Sequence, residues 1–159
     1  MKDIIIKNFS CSYEQKTIFQ NFDVTFEQGK INVVLGESGI GKTTLLNAMA
    51  SLKSYDGSIE GCEGGVSYIF QKDRLIPSIS VYKNLDLVLK AVVKDNRVRK
   101  ETIESTAETL EISDVLNSFP SEISGGQAQR ASMARSFLFP GDVLLLDEPF
   151  KALDTSLKA

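Results

Sequence analysis

Histidine is absent from the sequence, so no imidazole is available as a base, a metal ligand or a phosphate contact. Cysteine is scarce. Cys11 and Cys62 lie far apart and match no metal or redox spacing, so a reducing compartment and free thiols are expected. No apolar run approaches the roughly 20 residues that span a bilayer. Nor does the start resemble a signal peptide, because Ile4, Ile5 and Ile6 are followed at once by Lys7. A positive excess is lacking too: the formal net charge is −3. Bulk electrostatics therefore favour neither nucleic acid nor an anionic membrane surface. No nucleic-acid partner is expected, and any membrane role must come through another protein. There is no internal repeat and no low-complexity segment.

What is present suits one soluble globular domain. The chain has 159 residues, 42% hydrophobic and 25% charged. Its organising stretch is Gly36-Glu37-Ser38-Gly39-Ile40-Gly41-Lys42-Thr43, which fits G-x-x-x-x-G-K-[ST] at every fixed position. Ile31 to Leu35 reads as a buried strand feeding this loop, and Lys42 to Ala50 as a helix leaving it, with Thr44 in its first turn. The glycines let successive N–H groups turn inward as an anion nest, backed by the positive end of the helix. Lys42 adds a point charge for the β- and γ-phosphates, and the Thr43 hydroxyl is placed for Mg²⁺.

Before the loop, Ile4 to Phe9 and Phe22 to Phe26 read as antiparallel strands. Phe22, Val24 and Phe26 should share one face. Tyr13 lies in the turn region between them. Spacing alone favours an aromatic packed at a strand end, and stacking of a purine is the sharper alternative. After the loop, Leu45, Leu46, Ala48, Met49 and Leu52 form the apolar stripe of the helix. The stretch from Ser54 to Gly64, rich in glycine and acids, reads as hairpin-like connections. Val66 to Phe70 is the next strand. It ends at Gln71, where ligands bind in open α/β sheets, although a surface glutamine opening a loop fits equally.

Ser80 is placed to cap a helix through Val81, Leu85, Val88 and Leu89. Lys94, Arg97, Arg99 and Lys100 make a dense charged stretch. Asp95 and Glu101 interrupt it and no aromatics interleave, so it reads as a solvated turn and helix face. Thr102 to Leu110 reads as a helix, and Ser113 as the cap of a short one. Ser124-Gly125-Gly126-Gln127 opens a further helix and offers exposed N–H groups, a second potential phosphate site or an ordinary cap. Val143 to Leu146 is apolar throughout, as in a central parallel strand buried on both faces. It runs into Asp147, suited to Mg²⁺, and Glu148, suited to polarising a water.

In this order the residues resemble the ATP-binding subunits of ABC transporters, over essentially the whole chain. Ile123-Ser124-Gly125-Gly126-Gln127 is the most specific element. The resemblance implies an α/β P-loop fold with an N-terminal antiparallel β subdomain, a RecA-like parallel core and an inserted helical subdomain. Residues 1–79 and 140–159 would form the first two, and 80–139 the third. It implies ATP and Mg²⁺ as ligands. Tyr13 would stack adenine. Gly36, Ser38, Gly39, Gly41, Lys42, Thr43 and Thr44 would hold phosphates. Thr43, Gln71 and Asp147 would hold the metal, and Glu148, aided by Lys42 and Gln71, would catalyse hydrolysis. Ser124, Gly125, Gly126, Gln127 and Asp154 would serve the nucleotide across a head-to-tail dimer, expected to be a homodimer. Transmembrane permease subunits and an extracytoplasmic solute-binding protein are the further partners implied, with the chain at the cytoplasmic face of the membrane.

The stretches 70–77 and 147–154 look most like importers of the nitrate, sulfonate and taurine group, although Lys151 stands where that group usually has glycine. Family members continue beyond the Asp154 loop with a central strand ending in a histidine. The present sequence has neither. It is therefore expected to lack its last core strand, to fold poorly or borrow a strand, and to turn over ATP slowly. A degenerate nucleotide-binding domain and a non-transport ABC ATPase are the alternative readings.

Overall fold

The computed structural model describes residues 2–13 and 16–149. The chain separates into two compact units. One holds Met1–Val66 and Gly141–Asp147; the other holds Ser67–Pro140 and begins again at Glu148.

The first unit is built on an antiparallel three-stranded sheet in the order β2-β1-β3. Strand β1 spans Ile4–Tyr13, β2 Lys16–Phe26 and β3 Asp56–Glu60. In the β1–β2 pairing Ile6 faces Val24 and Phe9 faces Phe22; in the β1–β3 pairing Ile6 faces Ile59. The expected alternation in β2 holds: Phe22, Val24 and Phe26 are half-buried, while Asp23 and Thr25 are exposed. Both strands run longer than the sequence pattern indicates. Register shifts make the extension possible: Asn8 adopts φ +51°, and its N–H is taken by Asp23 Oδ1 at 2.5 Å. The stretch expected to form hairpin connections contains β3. Gly57, at φ +101°, is what lets it approach, since a Cβ there would lie 2.5 Å from the carbonyl oxygens of Lys7 and Asn8. Ile6, Phe9 and Cys11 are buried beneath this sheet, with the Phe9 ring edge-on to Phe19. Cys11 and Cys62 are both free thiols.

Two expectations for this unit are corrected. Ile31 to Leu35 is not a strand and is not buried: Ile31 is 96% and Leu35 86% exposed. An apolar run becomes a strand only where neighbours take its N–H and C=O groups, and none among the described residues does so. Instead the Asn32 side chain ties the segment back, accepting from Glu27 N–H and donating to its carbonyl. Strand β5, Val143–Leu146, buries only Leu145 well; Leu144 and Leu146 are more than 40% exposed, so one face is open rather than both closed. Helix α1, Lys42–Met49, buries Leu45, Ala48 and Met49. It stops before Leu52, which is 57% exposed, because Ser51 turns to φ +57°.

The second unit carries β4 (Val66–Ile69, all but its first residue), α2 (Val81–Leu89), α3 (Asn96–Thr109) and α4 (Gly125–Phe137). The apolar faces of the three helices meet in one cluster that includes Val81, Leu85, Leu89, Ile103, Ala107, Ala131 and Ala134. Each large aliphatic side chain buried there contributes about 1.5–3 kcal/mol. Ser80 caps α2 as expected, accepting from Lys83 N–H at 3.3 Å. Helix α3 begins six residues earlier than the pattern indicates, because Asp95 caps it by accepting from Arg97 N–H at 2.7 Å. Ser113 is the first residue of a single 3₁₀ turn, Ser113–Val115, rather than the cap of a helix.

Arg99 is the other correction. Within the stretch expected to be solvated it is buried, with Nε on Asp86 Oδ1 at 2.6 Å and Nη1 on the carbonyls of Val93 and Lys94, both at 3.1 Å. Its guanidinium closes the α2–α3 connection from inside, a use of charge that local composition does not signal.

Candidate functional site

In the first unit residues 31–40 are exposed throughout, and the turn of the glycine-rich loop ends on Gly41, the N-cap of α1. Gly41 adopts φ +113°, and a Cβ there would sit 2.5 Å from Ile18 Cγ2 and 2.7 Å from Phe19 Cε2. The β1–β2 sheet thus presses on the loop at the one point where only hydrogen fits. Lys42 Nζ donates to the carbonyls of Gly36 at 2.7 Å and Glu37 at 2.8 Å. Its ammonium is thereby folded over the loop that the N–H groups line. Ser38 and Gly39 are exposed, and Thr44 is half-buried.

Thr43 Oγ1 donates to Asp147 Oδ1 at 3.0 Å, across 104 residues of sequence. Asp147 is buried, 6% exposed, at the end of β5. Strand β5 is anchored at its start, where Val143 N–H bonds the Gly65 carbonyl. A hydroxyl beside a buried carboxylate is a donor set of hard oxygens, which suits Mg²⁺. Among the described residues no cluster of three His, Cys, Asp or Glu exists. A metal here would therefore take most of its ligands from phosphate and water, as Mg²⁺ does.

Tyr13 closes β1 rather than lying in a turn, and it is 57% exposed instead of packed on the core. Lys53 Nζ stands 4.3 Å from its ring centroid. A ring this exposed is compatible with base stacking, with the Lys53 ammonium over it as a competitor.

In the second unit Gln71 follows β4, and its Nε2 donates to Glu148 Oε2 at 2.7 Å. Glu148 adopts φ +47°, an uncommon left-handed conformation for this residue type. Ser124 caps α4 in a reciprocal box: its Oγ accepts from Gln127 N–H at 3.2 Å, while Gln127 Oε1 accepts from Ser124 N–H at 3.0 Å. Gly125 and Gly126 are exposed in the first turn. A Cβ on Gly125 would meet nothing within 4 Å, and one on Gly126 only Arg130 Nη1 at 3.8 Å. Asp154 lies outside the described residues.

Sequence reasoning missed Asn84 altogether. It is fully buried and laces the segment after Gln71 to α2. Its Oδ1 accepts from Ile76 N–H at 2.7 Å, and its Nδ2 donates to the carbonyls of Ile76, Ile79 and Ser80 at 3.1–3.3 Å. A polar residue on the apolar stripe of α2 was the available signal.

A glycine-rich loop capping a helix, a lysine over it and a helix hydroxyl facing a carboxylate at a strand end define a P-loop nucleotide-binding fold. Comparison with known proteins sharpens that class. The ABC transporter family model matches residues 19–151, and the chain belongs to that family. The thiamine import ATP-binding protein ThiQ of Haemophilus influenzae is 37% identical over 155 residues, which are 90% of this chain and 72% of that protein. The maltose/maltodextrin import ATP-binding protein MalK of Vibrio cholerae is 33% identical over 99% of this chain and 45% of its own length. The chain thus spans just under half of such maltose relatives. Among solved structures, a dimeric ATP-binding cassette in a post-hydrolysis state bound to ADP and Pi superposes with a TM-score of 0.85 at 23% identity. That match covers 96% of this chain and 76% of the other. The fold is that of ABC ATPases, with an antiparallel β subdomain, a parallel sheet and helices.

Proposed function

We propose that the chain binds ATP with Mg²⁺ and hydrolyses it to power solute import, as the ATP-binding subunit of an ABC importer. The observation that carries this reading is the approach of Thr43 to Asp147, 3.0 Å across 104 residues. It joins the first turn of the helix after the glycine-rich loop to a buried carboxylate.

On this reading the N–H groups of residues 36–43 take the phosphate oxygens, and Lys42 exchanges its two loop carbonyls for the β- and γ-phosphates. Thr43 and Asp147 would hold Mg²⁺, which supplies neutralisation of charge on the transferring phosphoryl group. Glu148 accepts a proton from the attacking water as the water oxygen bonds to the γ-phosphorus and the bond to the ADP oxygen breaks. Gln71 holds the Glu148 carboxylate through its amide. Tyr13 stacks the adenine.

Ser124, Gly125, Gly126 and Gln127 would serve a nucleotide held by a second copy of the chain, with Asp154 at the same interface. Two adjacent glycines lower helix propensity by about 1 kcal/mol each. Among the described residues only Arg130 Nη1, 3.8 Å from where a Gly126 Cβ would lie, borders the space their side chains would take. Room kept at a helix N-terminus suits a phosphate arriving from outside. Permease subunits and an extracytoplasmic solute-binding protein complete the importer, with this chain at the cytoplasmic face of the membrane. Among the described residues no helix is long and apolar enough to cross a membrane, so attachment would be through the permease. The stretches 70–77 and 147–154 favour a nitrate, sulfonate or taurine solute; uptake assays with a strain lacking the gene would decide among these and sugars or thiamine.

The test is ATP turnover by the full-length protein with and without Glu148→Gln. The expected result is Mg²⁺-dependent turnover that falls at least about 100-fold in the variant, comparable to the loss of other general bases, while ATP binding persists. An intact turnover in Glu148→Gln, or no ATP binding by either protein, would sink the proposal.

A further inference from the structure

The segment around Gln71 is held from both sides by a single helix. Ser136 Oγ donates to the Tyr68 carbonyl at 2.9 Å, three residues before Gln71. Arg135 Nη1 donates to the Arg74 carbonyl at 2.7 Å, three residues after it. Both donors lie in the last turn of α4. The Arg74 guanidinium in turn folds over the Phe70 ring at 4.0 Å, and Phe70 stacks on Tyr68 with centroids 4.1 Å apart. Residues 68–74 are thus cross-linked on themselves with Gln71 in their middle. Earlier on α4, Gln129 Nε2 donates to the carbonyl of Pro149, the residue after Glu148. One helix therefore bonds the flanks of both Gln71 and Glu148, whose side chains meet at 2.7 Å.

Arg135 is the member of this set with the least reason to be there on grounds of stability. Burial pushes its pKa down from the ordinary arginine value, with Asp73 opposing. The cation nonetheless points a guanidinium N–H at a neutral carbonyl, which returns less for the desolvation than a carboxylate would. What it gains is directional control of a backbone segment.

We propose that Arg135 is a positioning residue for ATP hydrolysis: through the Arg74 carbonyl it fixes the backbone of the Gln71 segment, so that the Gln71 amide stays on the Glu148 carboxylate. This rests on the function proposed above. Misplacing a reacting group by about 1 Å can cost up to 100-fold in rate. Losing one of several ties should therefore lower kcat about tenfold.

The experiment is a double-mutant cycle in the full-length protein, reading kcat, KM and the Kd for ATP. Arg135→Ala is expected to lower kcat about tenfold and leave KM and Kd unchanged. Arg135→Lys should recover part of the loss. In a Gln71→Ala background Arg135→Ala should cost nothing further, because the group it positions is gone. A wild-type rate in Arg135→Ala, a loss that multiplies with that of Gln71→Ala, or a change confined to Kd would each overturn the inference. Should Arg135→Ala fail to fold, Arg135→Met, which keeps the apolar stem and removes the donors, runs the same cycle and is judged by the same outcomes. Absence of turnover in the wild-type protein would overturn the proposed function and this inference with it. Wild-type turnover with an indifferent Arg135 would overturn this inference alone.

Discussion

At the scale of single residues, two glycines of one loop should behave differently. Gly41 combines φ +113° with Ile18 and Phe19 atoms only 2.5 and 2.7 Å from where a methyl carbon would sit. Gly39 has φ +81° and nothing within 4 Å. Gly41→Ala should therefore carry both backbone strain and overpacking, about 2–4 kcal/mol. Gly39→Ala should carry the left-handed penalty alone, about 1–2 kcal/mol. Urea midpoints of the two variants check this; equal losses would mean that the Ile18 and Phe19 side chains move aside at no cost. The motif to which both glycines belong was legible in the sequence because its chemistry is local. Residue type and offset suffice to place a lysine over a loop and a hydroxyl one residue on.

At the scale of elements, the stretch between β4 and α2 depends on one side chain. Asn84→Ala would leave the Ile76 N–H and the Ile79 carbonyl without their partner beside a fully buried position, while the Ile76 and Ser80 carbonyls keep the backbone N–H groups of Ile79 and residue 84. Each buried group left unsatisfied costs about 1–3 kcal/mol, and relaxation with entering water limits the total to about 2–4 kcal/mol. Thermal unfolding should show the loss, and amide exchange should show Ile76 exchanging faster. Retained protection at Ile76 would refute the assignment. The same element shows where sequence reading stops. The caps at Ser80 and Ser124 are legible because cap and helix adjoin in the chain. The roles of Asn84 and Arg99 are not, because their partners are set by packing. The charged neighbours of Arg99 suggest a solvated side chain; Asp86, thirteen residues away on another helix, decides otherwise. Ile31 to Leu35 fails as a strand for the reverse reason: its hydrophobicity is local, but a strand needs a neighbour.

At the scale of the whole molecule, unit one presents an unusual amount of apolar surface. Ile31, Val33 and Leu35 are between 70% and 96% exposed, and Leu144 and Leu146 are open on β5. A net charge of −3 offers little repulsion between copies. The 159-residue chain should therefore self-associate as its concentration rises. Leu35→Lys should reduce light scattering without lowering the unfolding temperature, because the side chain is 86% exposed. A marked drop in that temperature would show instead that Leu35 is packed in solution. The antiparallel sheet and the helical unit were anticipated in kind, since alternation and helical periodicity are carried within each segment. The open face of β5 was not, since burial on a second side is a property of the assembly around a strand.

The bonds from Lys42 to the Gly36 and Glu37 carbonyls give the loop a tenant of its own. Its shape is set by an internal cation, so the binding of an anion there would be an exchange of partners rather than an ordering of slack chain. Little entropy remains to be lost at that step, and the contest is decided by charge. A neutral visitor offers the ammonium no better terms than two carbonyls, whereas a polyphosphate, with several charged oxygens, does. A preference for highly charged ligands over neutral ones would thus be built into the loop.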